Sequence, residues 1–251
     1  NTHSELARRS LDIGAAVVID KPFVANVDQG SELIAAAKAA GRPLMVFQNR
    51  RWDGDFLTVR SLITSKRLGE VFHFESVFEH WASPASADWK DQLPISQGGG
   101  VSYDLGSHLV DQALVLFGPA SLQNARLRTL RPGGGNDDHS ELDLAHDSGV
   151  VSRLFMSRQG DMRGPRFRIL GTKGSFLSYG LDPQEPALDR GGFPTDPDFG
   201  KVSPDLYGTL VEHTATGPVI TRIPTERGDY AEFYRRAALA IRGRVRNRSL
   251  L

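Results

Sequence analysis

Two helix-then-strand units in the first 50 residues constrain the fold of this chain more than any other feature. Residues 4–13 are predicted to form a helix, and the short apolar run at 16–19 is typical of a buried parallel strand. A second predicted helix, at 29–40 and capped by Asp28, precedes another strand-like run at 44–47. This alternation predicts a parallel α/β sheet.

From Asp53 onward the pattern changes to that of an antiparallel sheet. After a predicted helix at 56–64, the run at 71–78 has an apolar side formed by Phe72, Phe74 and Phe78. Its other side is polar, as expected of an antiparallel strand with one solvated or partner-covered face. Further strand candidates, separated by turn residues, lie at 122–129, 141–145, 149–157, 166–170 and 175–178. The sequence therefore predicts a mainly antiparallel second domain, residues 53–251, after a first domain of residues 1–52.

Two more helices and one long loop complete the predicted elements. The helices are expected at residues 101–117, after the run Gly98-Gly99-Gly100, and at 230–241. The segment 182–205 contains five prolines and little periodicity, which predicts a long loop. Loops of this length are often functional or mobile.

Composition excludes several classes of protein. The chain has 30 Lys and Arg against 30 Asp and Glu, so it lacks the concentrated basic charge of a nucleic-acid binder. No apolar run approaches the roughly 20 residues needed to cross a bilayer. The absence of cysteine removes disulfides, thiolate nucleophiles and Cys-ligated metals, and no histidine other than His108 pairs with acids at a spacing that would specify a metal. We expect a cytoplasmic protein without nucleic-acid, membrane or metal partners.

A carboxylate and an imidazole lie at helical spacing in the predicted helix 101–117. Asp104, His108 and Asp111 stand at i, i+4 and i+7, which places them on one stripe of the helix. A carboxylate can orient an imidazole and keep it basic enough to take an alcohol proton near neutral pH. Ordinary surface ion pairs share this spacing, so the spacing alone leaves both interpretations open.

A lysine follows the first predicted strand, in the sequence Asp20-Lys21-Pro22. Ligands of open α/β sheets gather at the carboxyl ends of strands, so Lys21 is expected at the mouth of a cleft. There it can hydrogen-bond a substrate oxygen and stabilise negative charge as a proton leaves. Judged alone, a solvated loop lysine is the commoner interpretation.

The second predicted strand is followed by Gln-Asn-Arg-Arg-Trp-Asp at residues 48–53. The guanidinium groups of Arg50 and Arg51 offer forked donors to a polar ligand, and the indole of Trp52 offers a flat apolar wall. A domain junction held by salt bridges is an equally good interpretation for Arg51.

Taken together, these segments resemble the Gfo/Idh/MocA oxidoreductases in order and spacing. The matching segments are Asp-Lys-Pro at 20–22, Asn-Arg-Arg-Trp-Asp at 49–53 and Tyr-Asp-Leu-Gly-Ser-His-Leu-Val-Asp at 103–111. Segments 166–176, 180–185 and 228–230 bring the chain nearest to the branch of scyllo-inositol dehydrogenases and their relatives. The resemblance runs through nearly the whole chain.

The resemblance implies a Rossmann domain that binds NAD or NADP, followed by a domain built on an open, mostly antiparallel sheet. Family members commonly assemble through that sheet, so a homodimer or homotetramer is expected. By motif position, the catalytic residues are Lys21, Asp104 and His108. The residues implied to position substrate are Arg50, Trp52 and Tyr103. The residues implied to contact the cofactor are Asp20, Lys21, Pro22 and Arg51.

Two departures from the family pattern bear on activity. Asp20 stands where the family usually has glutamate, which can alter a cofactor contact. In the family, the strand, glycine loop and helix that hold the pyrophosphate precede the segment matching Asn1, and neither glycine run of this chain lies between a parallel strand and a helix. A closing helix after residues 230–241 is also expected to be missing. Residues 1–52 are therefore interpreted as the remnant of a dinucleotide-binding domain, and little or no activity is expected of the 251-residue chain.

The expected function of the parent enzyme is reversible hydride transfer between nicotinamide and a secondary alcohol carbon of a sugar or inositol-like polyol. His108 would take the hydroxyl proton, Asp104 would orient His108, and Lys21 would stabilise the alkoxide. Two alternatives remain open: a non-catalytic sugar-sensing or scaffold protein of the same fold, and a metal-dependent isomerase or hydrolase that uses Asp104 and His108 as ligands. The second alternative needs a third ligand that the sequence does not identify. The sequence determines neither the polyol nor the choice between NAD and NADP.

Overall fold

The first 52 residues form two helix-then-strand units, as the sequence predicts. In the computed structural model, which describes residues 2–161 and 164–243, α1 (His3–Asp12) precedes β1 (Val17–Ile19). The second unit consists of α2 (Val27–Ala40) and β2 (Leu44–Val46). The two strands pair in parallel, which confirms the predicted sheet type.

An asparagine, rather than the predicted aspartate, caps α2. The side chain of Asn26 accepts a hydrogen bond from the backbone N–H of Gln29 at 3.0 Å, whereas Asp28 lies inside the first turn. Asn26 has the extended backbone that an N-cap requires, and this explains why the cap falls two residues earlier than predicted. At the other end, Gly41 adopts a left-handed conformation (φ 61°) that ends the helix.

A single large sheet dominates the rest of the chain. Its order is β10-β9-β8-β7-β3-β6-β5-β4. The strands are β3 (Val71–Glu79), β4 (Ala120–Arg128), β5 (His139–His146), β6 (Val151–Ser157), β7 (Phe167–Gly171), β8 (Gly174–Ser178), β9 (Gly208–Thr214) and β10 (Gly217–Ile223). The strand pairs of this sheet are antiparallel except β3 and β6, which run parallel. The predicted mainly antiparallel domain is confirmed, but β3 is not a purely antiparallel strand.

The hairpin of β9 and β10 has no counterpart in the sequence predictions. Its outer strand is mostly exposed, and polar residues interrupt the apolar ones, so the pattern lacks a clear period of two. An edge strand needs no buried face to be stable once its neighbour fixes its backbone hydrogen bonds. The sheet is therefore wider than the sequence predicted.

Helices cover one face of the large sheet and form the main core with it. The helix α3 (Gly54–Thr64) contributes Phe56 to this core, and β3 contributes Phe74; both side chains are fully buried. Phe72 was expected to share the apolar side with Phe74, but its side chain is half exposed. A register shift next to Phe72 interrupts the alternation of the strand, which explains the difference.

The predicted helix at 101–117 is broken in two. The helix α5 (Val101–Asp104) ends at Leu105, and α6 (Gly106–Phe117) begins immediately after it. A one-turn helix, α4 (Trp89–Gln92), precedes them on the loop after β3. The predicted long loop at 182–205 also contains a short helix, α7 (Gln184–Asp189), so it is only partly irregular.

The last described helix returns to the first sheet. In α8 (Ala231–Ile241), Phe233 packs with Met45 of β2 and with Trp52. The predicted domain boundary at residue 52 stays a prediction. The prediction about a missing closing helix concerns residues 244–251, which lie outside the described residues.

None of the helices in the described part of the chain is long and apolar enough to cross a bilayer.

Candidate functional site

A cleft opens at the carboxyl end of β1, where the chain turns toward α5. Its lining includes four predicted site residues: Asp20, Lys21, Pro22 and Asp104. It also includes Trp89 and Lys90, which the sequence did not single out, and Gly98 and Gly100 of the glycine run before α5. The fold thus brings together predicted residues that are far apart along the chain, at the edge of the sheet where ligands of α/β proteins bind.

Lys21 and Asp104 form a close ion pair in this cleft. The Nζ of Lys21 donates to the Oδ1 of Asp104 at 2.7 Å and to its backbone oxygen at 2.8 Å. Arg158 donates to the other carboxylate oxygen at 2.7 Å, and the Nζ of Lys90 lies 3.4 Å from Oδ1. Burial alone would raise the pKa of Asp104, but Lys21, Lys90 and Arg158 hold it well below its ordinary value. Asp104 therefore stays ionised and fixes the ammonium of Lys21.

Glycine at position 100 lets α5 approach a buried aspartate. Gly100 has φ 97°, and a Cβ there would lie 1.9 Å from the Oδ1 of Asp137. The same carboxylate accepts a hydrogen bond from the backbone N–H of Ser102 at 2.9 Å, while the Asp137 backbone oxygen accepts from Val101 at 2.8 Å. The glycine run thus seats the start of α5, and so positions Asp104 three residues further on.

A buried ion network lies behind the cleft. The guanidinium of Arg131 donates to Asp91 at 2.6 Å and to Asp138 at 3.1 Å, and all three side chains are almost fully enclosed. Burial acts to raise the pKa of Asp91, but hydrogen bonds from Arg131 and Ser86 lower it to about 2. Arg158 lies 3.7 Å from Asp91, so the network extends to the carboxylate that holds Lys21.

His108 is buried on α6 as a neutral imidazole. Its side chain is almost fully enclosed, and its Nδ1 lies 3.1 Å from the Oε1 of Gln48. Burial lowers the pKa of His108 well below its ordinary value, and the charges of Lys21 and Arg50 lower it further, while Asp104 acts weakly in the opposite direction. Near neutral pH the imidazole therefore has a lone pair that can take a proton. Lys21 follows β1, and Gln48, the partner of His108, follows β2, which pairs with β1, so the two side chains belong to the same edge of the parallel sheet.

The predicted contact in which Asp104 orients His108 is wrong. The carboxylate oxygens of Asp104 bond to Lys21 and Arg158, and the orienting contact of His108 comes from Gln48. The physical reason is the break at Leu105, because it interrupts the continuous helix on which the i, i+4 argument depends.

Arg51 and Trp52 belong to the junction between the two sheets. Arg51 makes a forked pair with Asp111 of α6, at 2.7 Å and 2.6 Å. The indole of Trp52 is 6% exposed and packs edge-on against Phe233. Substrate positioning by Trp52 stays a prediction, and the packed indole leaves little surface for a substrate ring. The cofactor contact of Arg51 stays a prediction, and the pair with Asp111 matches the alternative of a salt-bridged junction.

Arg50 is enclosed beneath the cleft. Its guanidinium donates to Asp53 at 3.3 Å and to Glu185, and lies over the ring of Phe78 at 4.7 Å. Burial opposes the charge, but Asp53 and its other partners raise the pKa of Arg50 above its ordinary value, so the cation persists. A substrate that bonds to Arg50 has to compete with Asp53 and with the half-exposed Glu185 for the guanidinium. The predicted substrate contact of Arg50 therefore stays a prediction.

Tyr103 connects α5 to the segment after Lys21. Its hydroxyl donates to the backbone oxygen of Ala25 at 2.7 Å, and its ring is half buried. This bond holds the end of the Asp-Lys-Pro segment against α5. Substrate positioning by Tyr103 stays a prediction.

Three buried carboxylates cluster next to Arg50. Burial raises the pKa of Asp182 to about 6, and the nearby charge of Asp55 adds to the effect. Burial also raises the pKa of Asp53 well above its ordinary value, although Arg50 opposes this. Asp182 nevertheless accepts hydrogen bonds from the backbone N–H groups of Gly54 and Gln184, so it holds α3 and α7 together.

We expect Asp182 to make the protein less stable as the pH rises from about 4 to about 6. A carboxyl group whose pKa is higher in the folded state binds more protons there, so folding is favoured at acidic pH and loses this contribution as the group ionises. The rise from 3.8 to about 6 corresponds to roughly 3 kcal/mol. Urea unfolding at pH values between 4 and 7.5 measures this dependence.

The variant to compare with the unaltered protein is Asp182→Asn. Between pH 4 and 6, the slope of its free energy of unfolding against pH should be smaller. Asp189→Asn, at an exposed end of α7, serves as the matched control and should keep the slope. An equal slope in the protein and in Asp182→Asn would contradict the assignment to Asp182.

Sequence reasoning missed Gln48, Trp89, Lys90 and Arg158. Gln48 had a usable signal, because it follows β2 just as Lys21 follows β1. The other three residues lie on a loop helix and at the end of β6, far from either strand in the sequence, and no spacing links them to Lys21. Only tertiary contacts reveal them. Among residues 2–161 and 164–243, no group of three or more His, Asp or Glu could hold a metal ion.

Comparison with known families assigns both parts of the chain. Residues 1–48 match the oxidoreductase family with the NAD-binding Rossmann fold, and residues 56–177 match the GFO/IDH/MocA C-terminal domain.

Individual relatives extend the match to almost the entire chain. The uncharacterized oxidoreductase YdgJ of Escherichia coli strain K12 is 37% identical over 97% of this chain and 69% of its own length. The scyllo-inositol 2-dehydrogenase (NADP(+)) IolW of Bacillus subtilis strain 168 is 33% identical over 96% of this chain and 66% of its own length. Among solved structures, the putative oxidoreductase YvaA of Bacillus subtilis superposes with a TM-score of 0.91 at 33% identity, covering 96% of this chain and 68% of that one. The chain thus spans about two thirds of each relative.

Proposed function

The chain belongs to the Gfo/Idh/MocA family of oxidoreductases, and we propose that it carries the catalytic groups for hydride transfer between NAD(P) and a secondary alcohol or ketone of a sugar or cyclic polyol. Residues 1–48 belong to an NAD-binding Rossmann-fold domain. The substrate class and the roles of individual residues are the proposal.

One observation supports this function: Lys21, which follows β1, bonds to Asp104 at the end of α5, and His108, in the first turn of α6, bonds to Gln48, which follows β2, so both stand at the same edge of the parallel sheet. Lys21 is held by a carboxylate and by a backbone oxygen. His108 is neutral and buried close enough for Lys21 to lower its pKa. A cation beside a neutral base is the pair that alcohol oxidation needs, because the proton must leave while the oxygen keeps negative charge.

Each residue of the site has a distinct role in the proposed hydride transfer. His108 takes the hydroxyl proton on one ring nitrogen, and in the reverse direction returns it to the ketone oxygen. Lys21 donates a hydrogen bond to that oxygen and stabilises the alkoxide. Asp104 holds the side chain of Lys21 in place, rather than orienting His108. When bound, the nicotinamide accepts or supplies the hydride.

The residues at the cleft fit the nicotinamide end of such a cofactor. A groove lined by Thr2, His3, Pro22, Trp89, Leu93, Gln97 and Gly98 adjoins the cleft and shares part of its lining. Pro22 and Trp89 offer flat apolar surface, and the exposed carboxylate of Asp20 can accept hydrogen bonds from ribose hydroxyls. We propose that Asp20, Lys21 and Pro22 hold this part of the cofactor.

The proposed substrate class rests on the cleft and on one relative. Lys21, Lys90 and Asp20 present several hydrogen-bonding groups to the cleft, and Trp89 adds an aromatic face, a combination that suits a ring bearing many hydroxyls. The relative from Bacillus subtilis, by its name, oxidises scyllo-inositol with NADP. For this chain we propose a cyclic polyol or sugar, with either nicotinamide cofactor.

We also propose that the protein forms a homodimer or homotetramer through the face of the large sheet that the helices leave uncovered. Helices cover the opposite face, and the uncovered one carries half-buried apolar side chains such as Phe155 and Leu177 between ion pairs. Such a mixed surface is typical of protein interfaces. We also propose a cytoplasmic location, since the chain contains no cysteine.

The alternative function is a sugar sensor or scaffold that keeps the fold without turnover. The buried guanidinium of Arg50, already paired with Asp53 and Glu185, favours this alternative. The paired Lys21 and Asp104 favour the enzyme, because a sensor needs no neutral base next to a fixed cation.

The function is tested by mixing polyols with NAD+ or NADP+ and following the absorbance of the reduced nicotinamide. The assay uses a fusion that places a nucleotide-binding unit with Gly-x-Gly-x-x-Gly before residue 1, since the sequence of this chain has no such loop. Polyol-dependent reduction supports the enzyme. Polyol binding without any reduction supports the sensor.

We expect the 251-residue chain alone to bind NADH and NADPH weakly, with a Kd no tighter than about 1 mM. The reason is that pyrophosphate binding in Rossmann domains depends on a glycine loop at a helix N-terminus, which this sequence lacks. Nicotinamide fluorescence during titration measures the affinity, and the fusion is the comparison. Micromolar binding by the chain alone would show that the cleft holds the cofactor without that loop.

A further inference from the structure

We propose that Gln48 fixes the tautomer of His108, so that the neutral imidazole carries its proton on Nδ1 and leaves the Nε2 lone pair for the alcohol. The inference rests on the function proposed above and adds a positioning residue to it. Gln48 touches neither cleft nor groove in the part of the chain that the structure describes, and it acts only through His108.

The backbone of Gln48 is held on both sides. Its N–H donates to the oxygen of Val46 at 2.8 Å, at the end of β2. Its own oxygen accepts from Arg51 at 3.2 Å, within the 3₁₀ turn of Asn49–Trp52. The backbone that carries the Gln48 side chain is therefore fixed at the end of β2. Lys21 follows β1, which pairs with β2, so both residues stand at the same edge of the parallel sheet.

The contact between the two side chains is short and enclosed. The Oε1 of Gln48 lies 3.1 Å from the Nδ1 of His108, whose side chain is 2% exposed. Among the described residues, this is the one side-chain hydrogen bond of the imidazole. A buried polar group without a hydrogen-bond partner destabilises the folded protein. The side-chain amide of Gln48 therefore determines which nitrogen of the imidazole carries the proton.

The amide of Gln48 can either accept or donate, and the two choices have opposite chemical consequences. If its oxygen accepts, the proton is on Nδ1 and the Nε2 lone pair is available. If its NH₂ group donates to Nδ1 instead, the proton is on Nε2, and that nitrogen has no lone pair to take a proton from the alcohol. A base that removes an alcohol proton requires the first arrangement.

The surroundings make this choice matter, because they favour the neutral form of His108 before the reaction, and that form carries its single proton on one ring nitrogen or the other. Burial and the positive charges of Lys21, Arg50 and Arg166 disfavour the imidazolium. The nearest carboxylate, Asp104, is engaged by other cations. A neutral amide oxygen can fix the tautomer without the additional negative charge that a carboxylate would bring.

The test is the state of each imidazole nitrogen, measured by NMR on the folded 251-residue chain labelled with ¹⁵N-histidine. The chain contains seven histidines, so the His108 signals are identified by their loss in His108→Asn. We expect a pyrrole-type signal for Nδ1 and a pyridine-type signal for Nε2 near neutral pH. Gln48→Leu should convert this pattern to a mixture of tautomers or to the reverse one.

A second variant keeps the test decisive if Gln48→Leu fails to fold. Gln48→Glu retains an acceptor of the same length, so it should keep the proton on Nδ1 and raise the pKa of His108. Gln123→Leu, at an exposed position of β4, is the matched control and should leave the His108 signals unchanged. A protonated Nε2 in the unaltered chain would overturn the proposal, as would a His108 pattern that Gln48→Leu leaves unchanged or a His108 pKa that Gln48→Glu does not raise. Because the measurement uses neither cofactor nor polyol, an inactive enzyme and an incorrect tautomer give different results.

Discussion

Replacing His108 with alanine is expected to lower kcat by about 10²- to 10⁴-fold in the fusion assay while leaving the affinity for NADH almost unchanged. The loss follows because His108 is the residue proposed to take the hydroxyl proton, and burial favours its neutral form. Cofactor affinity is expected to persist because the residues proposed to hold the cofactor, Asp20, Lys21 and Pro22, follow β1, whereas His108 lies on α6. Steady-state kinetics and a fluorescence titration measure the two quantities separately.

The matched control is His213→Ala, because this histidine is exposed at the end of β9, away from the cleft. It should leave both quantities within about a factor of two, as surface substitutions far from special features usually do. His108→Asn gives a second test with a smaller change in volume if the alanine variant is unstable. An unchanged kcat in a folded His108 variant would remove this residue from the mechanism.

Replacing Lys21 with methionine is expected to lower kcat by about 10²- to 10³-fold, the range seen when one donor to a developing oxyanion is lost. Methionine keeps most of the length of the side chain and removes only the charge and its hydrogen bonds. The substitution should also change the pH dependence of kcat. Lys21 is the neighbouring charge that lowers the pKa of His108 most, so its removal raises that pKa and moves the acidic limb of the profile to higher pH.

Lys38→Met, in the exposed last turn of α2, is the control for a lost lysine. It should change neither kcat nor the pH profile. The two effects of Lys21→Met test different statements. A lower kcat with an unchanged profile would keep Lys21 as an oxyanion donor but contradict its effect on His108, and an unchanged kcat would exclude it from the chemistry.

Local patterns made much of the fold predictable. The apolar runs at 16–19 and 44–47 are short, flanked by helices and free of polar interruptions, so a parallel sheet was the natural prediction, and β1 and β2 confirm it. Predictions failed where a single residue changed a periodic pattern, as at Leu105, which ends α5, and at Phe72, where the strand changes register. A periodic pattern is defined over several residues, so it does not reveal an interruption at a single residue.

The residues of the site that follow the two parallel strands were predictable from the sequence. Lys21 and Gln48 both follow parallel strands, and the general behaviour of α/β sheets directs attention to that edge. The partners of each residue were not predictable. Helical spacing assigned Asp104 to His108, whereas the structure assigns it to Lys21 and Arg158.

By itself, the sequence determined the order of the elements, the two kinds of sheet, the family resemblance and the positions of Lys21, Asp104 and His108 in the chain. Only the tertiary structure decided which of these groups touch each other, which are enclosed, and which are charged. The reason is physical: a pattern along the chain reflects interactions between near neighbours, but a pKa or a hydrogen bond depends on every group within a few ångströms. At this site those groups come from β1, β2, α4, α5, α6 and β6 and meet only in the folded protein.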